Sequence, residues 1–346
     1  MKYHKLLFTN LKKIKIYRAV QIGCLILIIL SLGIACKKKV VIEGTVVNNS
    51  QEKVWEGVNI SRYISTNLIY RNNSITSINK DGYMLQAGDE QPGFKNNHLD
   101  NEIITGNQLI WKGKDPTSLT HGIFTGYNLN VIIKYNRLIN VPMGIIRKSN
   151  GMTNTSGAIA YNVVVDPKVA VVVKGMNGVN IFNNTFYTTK TPLQTWRGLI
   201  DIYTNSDQGL KAFSRGIKVF NNIFYTKHGV LNIYIYDSAC LSGFESDYNI
   251  FWCEDGEPLF KIGNTIKTFK EWRALGYDNH SILRNPNFIN SKTLVPGQRL
   301  DFGTNLGSQW QTGLSVNTKW GNDNPDTTNQ NGKWQVGAYV YKDLQQ

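Results

Sequence analysis

Asn177–Tyr187 reads NGVNIFNNTFY, and Arg215–Tyr225 reads RGIKVFNNIFY. Both phrases carry a strand-like alternation, an Asn-Asn pair and a closing aromatic. A phrase repeated at long period is the mark of a stacked architecture and has to be read before any local element. Five further segments fit the same template: LIYRNNSI, IITGNQLI, IIKYNRLI, AIAYNVVV and ESDYNIFW. Their aligned asparagines are Asn73, Asn107, Asn136, Asn162, Asn184, Asn222 and Asn249. The spacing varies, but the order of the phrase persists.

The chemistry of Asn explains its recurrence. A sharp corner between two strands needs a residue that tolerates left-handed backbone, and Asn does so. Stacked coils would also bring these amides over one another, each donating to the next. A further strand follows each Asn corner: GYMLQAG, HGIFTGY, MGIIRKS, AVVVKGM, RGLIDIYT, LNIYIYD and PLFKIG. The pattern predicts an all-β chain, a single-stranded right-handed parallel β-helix (a solenoid) in which each coil touches only its neighbours. The coils run from about 68 to 263, with a C-terminal cap and tail over 264–346. Thr265–Gly276 (TIKTFKEWRALG) reads as a short amphipathic helix packing Phe269, Trp272 and Leu275 on the last coils. Residues 291–331 read as a tail that wraps back along the coils.

The first 36 residues stand apart. Lys2, Lys5, Lys12, Lys13, Lys15 and Arg18 precede the apolar run Ile22–Ile34, with no acidic residue among them. Charge and length make this a secretory signal, and the run is short for a spanning helix. A cysteine after a small residue at its end, Ala35-Cys36, is similar to a bacterial lipobox, although Gly33 stands where a branched residue is usual. Lipidation is therefore expected at Cys36, with an uncleaved anchor of the same topology as the alternative. This predicts an exported protein held at a membrane, in the periplasm or on the surface of a Gram-negative-type bacterium, with residues 37–346 as one domain.

The whole chain carries +14, and its 32 basic against 24 acidic residues beyond the leader leave +8. Lys37–Lys39 would lie beside lipid head groups. Nucleic acid is excluded as a partner by export; an acidic ligand suits the surplus. The chain is expected to be a monomer. Beyond the leader only Cys240 and Cys253 remain. Their places in the repeat do not coincide, so two buried thiols are expected although export would permit a disulfide.

Leu68–Gly263 resembles the pectate-lyase-like, right-handed β-helix superfamily, and 277–290 and 334–341 resemble the C-terminal segment of secreted bacterial β-helix proteins. The resemblance implies polysaccharide binding or cleavage. Long insertions at 87–100, 111–120, 188–195 and 204–214 flank the last-named set of strands, which makes that sheet the expected floor of a groove. Alternation in NIYIYD turns Ile233 and Ile235 in and Tyr234 and Tyr236 out. Carried back, the outward set becomes Asp201, Tyr203, Val173, Arg147, Thr125 and Tyr127. Lys148 and Lys174 occupy matching strand ends, Trp196 and Arg197 sit on an entering loop, and His121 joins the same face.

Such a floor suits a sugar chain: aromatic faces cover the ring, and cations clamp uronate or sulfate groups. For an acidic glycan the expected chemistry is a lyase reaction. Lys148 and Lys174 would share the base role, each ammonium depressing the other, while Arg147 holds the carboxylate. Non-catalytic glycan binding is the alternative. A glycosidase comes third, because it needs two carboxylates and Asp201 is the one acid placed on the floor. The acidic and Gly-His-Gly motifs of polygalacturonases are missing, and IIRKSNG (145–151) is a loose echo of lyase signatures. No cofactor is required by the sequence and no metal motif appears. Glu254, Asp255 and Glu257 in FWCEDGEP offer a possible Ca2+ cluster against the alternative of a solvated acidic turn. His98, His228 and His280 carry no assigned chemistry.

Overall fold

The computed structural model describes residues 14–16, 40–47, 58–60, 65–66, 68–78, 80–88, 99–127, 129–151, 156–190, 197–209, 211–320 and 324–342. Most of the leader, Cys36, Lys37–Lys39, Trp196 and most of the 87–100 insertion lie outside them. Within the leader, Ile14–Ile16 pairs in parallel with Ile42–Gly44. No described helix is long and apolar enough to cross a membrane.

The chain is all-β, built of long parallel sheets in an arrangement consistent with a β-helix. It passes through three ribbons of strands in a fixed order. The central strands of the first are Ile103–Thr105, Val131–Lys134, Gly157–Ala160, Val179–Phe182 and Lys218–Phe220. Those of the second are Gln108–Trp111, Arg137–Ile139, Val163–Val165, Thr185–Thr188 and Ile223–Thr226. Val40–Val47 pairs with both ribbons and joins them. The third ribbon is a nine-stranded sheet that includes Tyr83–Gly88, His121–Gly126, Met143–Lys148, Val169–Lys174, Gly198–Tyr203, Leu231–Ile235 and Leu259–Ile262. Its last member, Thr265–Thr268, is antiparallel and ends the parallel stacking.

Register lines up identical chemistry coil over coil. Ile104, Ile133, Ile159, Ile181 and Val219 form one inward column. Leu109, Leu138, Val164, Phe186, Phe224 and Phe251 form a second. Leu85, Ile123, Ile145, Val171, Ile200, Ile233 and Phe260 form the third. All three meet in one buried core. β-branched side chains pack well on pleated surfaces, which is why Ile and Val dominate the first and third columns, while Leu and Phe predominate in the second.

The seven predicted asparagines form a continuous ladder at the corner between the first and second ribbons. Each Nδ2 donates to the next Oδ1, at 2.8, 2.8, 2.9, 3.0, 2.9 and 3.1 Å from Asn73 to Asn249. The sequence argument placed the left-handed backbone on these asparagines, and that is corrected here. Positive φ falls on the residue before each: Asn72, Gly106, Tyr135, Tyr161, Asn183, Asn221 and Tyr248. The ladder Asn thus points its amide inward, while its predecessor turns outward. Several of those predecessors hold the tail: Tyr135 donates to Thr312 O, Tyr161 to Trp310 O, and Asn183 to Gln335 O. Asn221 Nδ2 donates to Thr304 O while Thr304 N donates to Asn221 Oδ1. The wrapping tail is therefore stitched to the corner rather than draped over it. Asn221→Ala removes that pair and puts at φ 55 a residue that tolerates left-handed backbone less well than Asn; a loss of about 2 kcal/mol is expected, with tail cleavage by protease preceding global unfolding.

At the C-terminal end the helix spans Phe269–Ala274, shorter than predicted because Thr265–Thr268 is spent as strand. Phe269 packs on Phe251 and Phe260, and Trp272 stacks on Phe260 at 4.7 Å. Leu275, expected on that packed face, is 48% exposed because the helix has ended before it. Trp272 Nε1 donates to Asp278 Oδ2 at 2.7 Å. Asp278 also accepts from Asn249 Nδ2, Ser246 Oγ and Ser281 Oγ, so it terminates the asparagine ladder. Burial raises its carboxyl pKa, although these donors oppose the shift. Cys240 and Cys253 are free and buried, as expected.

Candidate functional site

The third ribbon presents its outward face through two columns. One runs Gln86, Phe124, Ile146, Val172, Asp201, Tyr234, Lys261. The other runs Gly88, Gly126, Lys148, Lys174, Tyr203. Lys148, Lys174, Asp201, Tyr203 and Tyr234 therefore share the expected face. Three expected members do not. Thr125, Arg147 and Val173 pair in register with Ile202, so they lie one position out of phase and point inward. Val173 belongs to the core.

Arg147 is fully buried inside the stack, not a clamp for substrate. Its Nη1 donates to Val131 O at 3.3 Å, against Gly157, where a Cβ would come within 2.4 Å. Burial pushes its pKa down to about 10, opposed by the buried Glu102. Tyr127 is also buried, at a corner with φ 59. His121 occupies the entry end of its strand, stacked on Tyr83 at 4.8 Å, away from the lysine column. The middle of the face is apolar, built by Phe124, Met143, Ile146, Val169 and Val172.

The polar part of the face has two centres. In the first, Lys148 Nζ and Lys174 Nζ both bond Asp207, at 2.7 and 2.8 Å. Asp207 opens a short 3-10 turn, Asp207–Gly209, in the 204–214 insertion. Asn205 anchors that loop: its Nδ2 donates to Ser149 O at 2.6 Å and its Oδ1 accepts from Asp207 N at 3.1 Å. Gly175 permits this close crossing, since a Cβ there would fall 2.4 Å from Ser149 O. Burial works against the Asp207 charge, but the two lysines hold its pKa below the usual range. The lysines therefore do not face each other as bare ammoniums, which was the basis of the shared base role.

In the second centre, Asp201 is fully buried beneath Arg197 and Tyr203. Arg197 Nη1 and Tyr203 OH donate to Asp201 Oδ2 at 3.0 and 3.2 Å, and Gly198 N donates to Oδ1 at 2.8 Å. Burial raises Asp201 to about 7 in spite of these donors. Burial opposes the Arg197 charge, but Asp201 and Tyr203 raise its pKa overall. Burial and Asp201 also raise the phenols of Tyr203 and Tyr236.

Tyr203, Tyr236 and Tyr234 stack with centroids 3.6 and 3.7 Å apart. Arg197 covers Tyr203 at 5.3 Å and Lys261 covers Tyr234 at 4.5 Å. The ring faces are thus spent on each other and on two cations. The Tyr203 hydroxyl is spent too, on Asp201 and Arg197, and Tyr234 is buried, so the expected aromatic cover for a sugar ring is not presented. Lys261 was legible one coil beyond Tyr234 in LFKI, whereas Asp207, on an irregular loop, gave no periodic signal.

Elsewhere, Glu254 takes the Tyr225 hydroxyl and Asp255 faces His228 at 3.0 Å. No group of three or more His, Cys, Asp and Glu that could hold a metal is found among the described residues. The chain matches no family model, no curated protein and no solved structure.

Proposed function

We propose that this is a right-handed parallel β-helix, exported through its leader and anchored by a lipid at Cys36, whose third-ribbon face binds an acidic polysaccharide. The right hand follows from the near-universal sense of crossovers between parallel strands of one sheet. The observation that carries the binding reading is the Lys148–Asp207–Lys174 cluster, next to the coil of Tyr203. Asp207 occupies the place a uronate carboxylate or sulfate would take between two ammoniums, and charge-assisted bonds of this kind are the strong ones.

Cleavage is the second reading, favoured by Asp201 with its pKa near 7 behind Tyr203 and Arg197. In a lyase reaction the Tyr203 hydroxyl would protonate the leaving oxygen, with Asp201 holding it in place. Once Asp207 yields them, one lysine would take the C5 proton and the other neutralise the substrate carboxylate, the C4=C5 bond forming as the C4–O bond to the leaving sugar breaks. Hydrolysis would require Asp207 to act as the second carboxylate.

The test is a screen of the full-length protein against uronate, sulfated and neutral polymers, following binding, ultraviolet absorbance of unsaturated ends and reducing ends together. Saturable binding to an acidic polymer is expected. Lys148→Ala and Lys174→Ala should each weaken it about tenfold, and Asp207→Asn should strengthen it by a similar factor. Preference for neutral polymers, or weaker binding in Asp207→Asn, would sink the reading. Absorbance with new ends would add lyase activity, and new ends alone would add hydrolysis.

A further inference from the structure

The second ribbon turns Phe186 and Phe224 inward to the core and Tyr187 and Tyr225 away from it, paired in register on adjacent coils and largely buried under the tail. The two rings stack at 4.8 Å, and Phe288 from the tail presents itself to both at 6.0 and 5.6 Å. With Asn285, Asn287 and Ser291 they frame a cavity of about 290 Å³. We infer that this cavity is a binding site for a single neutral sugar ring.

Size is the first argument: the cavity lies at the small end of the ~300–1,000 Å³ typical of ligand sites, enough for one ring and not for a chain. Chemistry is the second. Phe288 and the edges of the stacked Tyr187 and Tyr225 line it together with two amides and a hydroxyl, apolar and hydrogen-bonding groups that between them serve a ring with C–H faces and a belt of hydroxyls. Charge is the third. No cation lines the cavity, while Glu254 bonds the Tyr225 hydroxyl and Asp166 bonds Thr189 just beyond Tyr187. An anionic sugar would be repelled here, the reverse of the third-ribbon face.

The wall is also set in advance. Asn287 takes φ 47, its N–H donates to Asn285 Oδ1 at 2.8 Å, and its carbonyl accepts from Gly297 N at 2.8 Å. Gly297 has no room for a side chain, because a Cβ would fall 2.7 Å from Asn287 O. A preformed wall lowers the ordering cost of binding.

The experiment is saturation-transfer NMR and calorimetry on the full chain with the methyl glycosides of glucose, galactose and mannose, and with methyl glucuronide as the charged arm. At least one neutral glycoside should bind. Asn287→Gly, which keeps a residue suited to φ 47, and Ser291→Ala, both at exposed positions, should weaken it by up to about tenfold without lowering the melting temperature. Lys174→Ala should leave it unchanged, which separates this site from the acidic-glycan face. Binding of none of the three, binding that survives both substitutions, or glucuronide bound as tightly would overturn the assignment.

Discussion

Asn184→Ala is expected to cost about 3–5 kcal/mol, the upper range for a single substitution that leaves buried polar groups unpaired. Asn184 Oδ1 accepts from both the backbone N and the Nδ2 of Asn162, at 2.9 and 3.0 Å. Its own Nδ2 donates to Ile159 O, Phe182 O and Asn222 Oδ1, and its N–H donates to the same Asn222 Oδ1. Alanine would remove the acceptor for two donors of the preceding coil and the donor for three acceptors, one each in that coil, its own and the next. Asn184 is fully buried, so water does not replace these partners without opening the stack. The check is the denaturant midpoint of the variant, together with amide exchange. Exchange should accelerate first in the coils holding Asn162 and Asn222, because each coil is stabilised by its neighbours. Asn184→Ala combined with Asn222→Ala should cost less than the two separately, since they share a hydrogen bond. A cost under about 1 kcal/mol would mean the ladder is a passive consequence of stacking.

The ladder was readable because its phrase recurs, and the phase of the third ribbon was readable only in part. In NIYIYD polar and apolar residues alternate, so Tyr234 is placed outward without ambiguity. In VAVVVK and MGIIRK both faces are apolar, and alternation vanishes as it does in strands buried on both sides. The outward set carried back from Tyr234 and Tyr236 then slipped by one residue and turned Arg147 outward, although a guanidinium can be buried at a cost when it has a partner. The structure places it beside the fully buried Glu102, which offsets that cost. The correct phase was nonetheless implicit in Lys148 and Lys174, since adjacent residues of a strand cannot both face out. Aligning the strand ends, Gly126, Lys148, Lys174 and Tyr203, gives the observed register directly. Asp207 is a different case. Its position depends on how Asn205 pins an irregular loop across Ser149, and no periodicity reports such a contact.

Stability should fall as pH rises from about 4 to about 7, by as much as about 4 kcal/mol from Asp201 alone. Burial lifts its folded pKa from 3.8 to about 7. Between those values the folded chain keeps a proton that the unfolded chain has released, so the contribution is fully present below the lower value and gone above the upper one. Asp278, buried at the ladder's end and raised for the same reason, acts with the same sign. Asp207, whose pKa is lowered by two lysines, acts oppositely and only at more acidic pH. Melting temperatures at pH 5 and pH 8 should therefore differ in the native chain, less in Asp201→Asn, and least in Asp201→Asn combined with Asp278→Asn. An unchanged difference in Asp201→Asn would show that the carboxyl is ionised throughout. The same titration separates the two readings of the face. If Tyr203 delivers a proton during cleavage, the rate should follow a limb near pH 7 that disappears in Asp201→Asn. Binding without cleavage does not draw on that proton and should cross the range without such a limb.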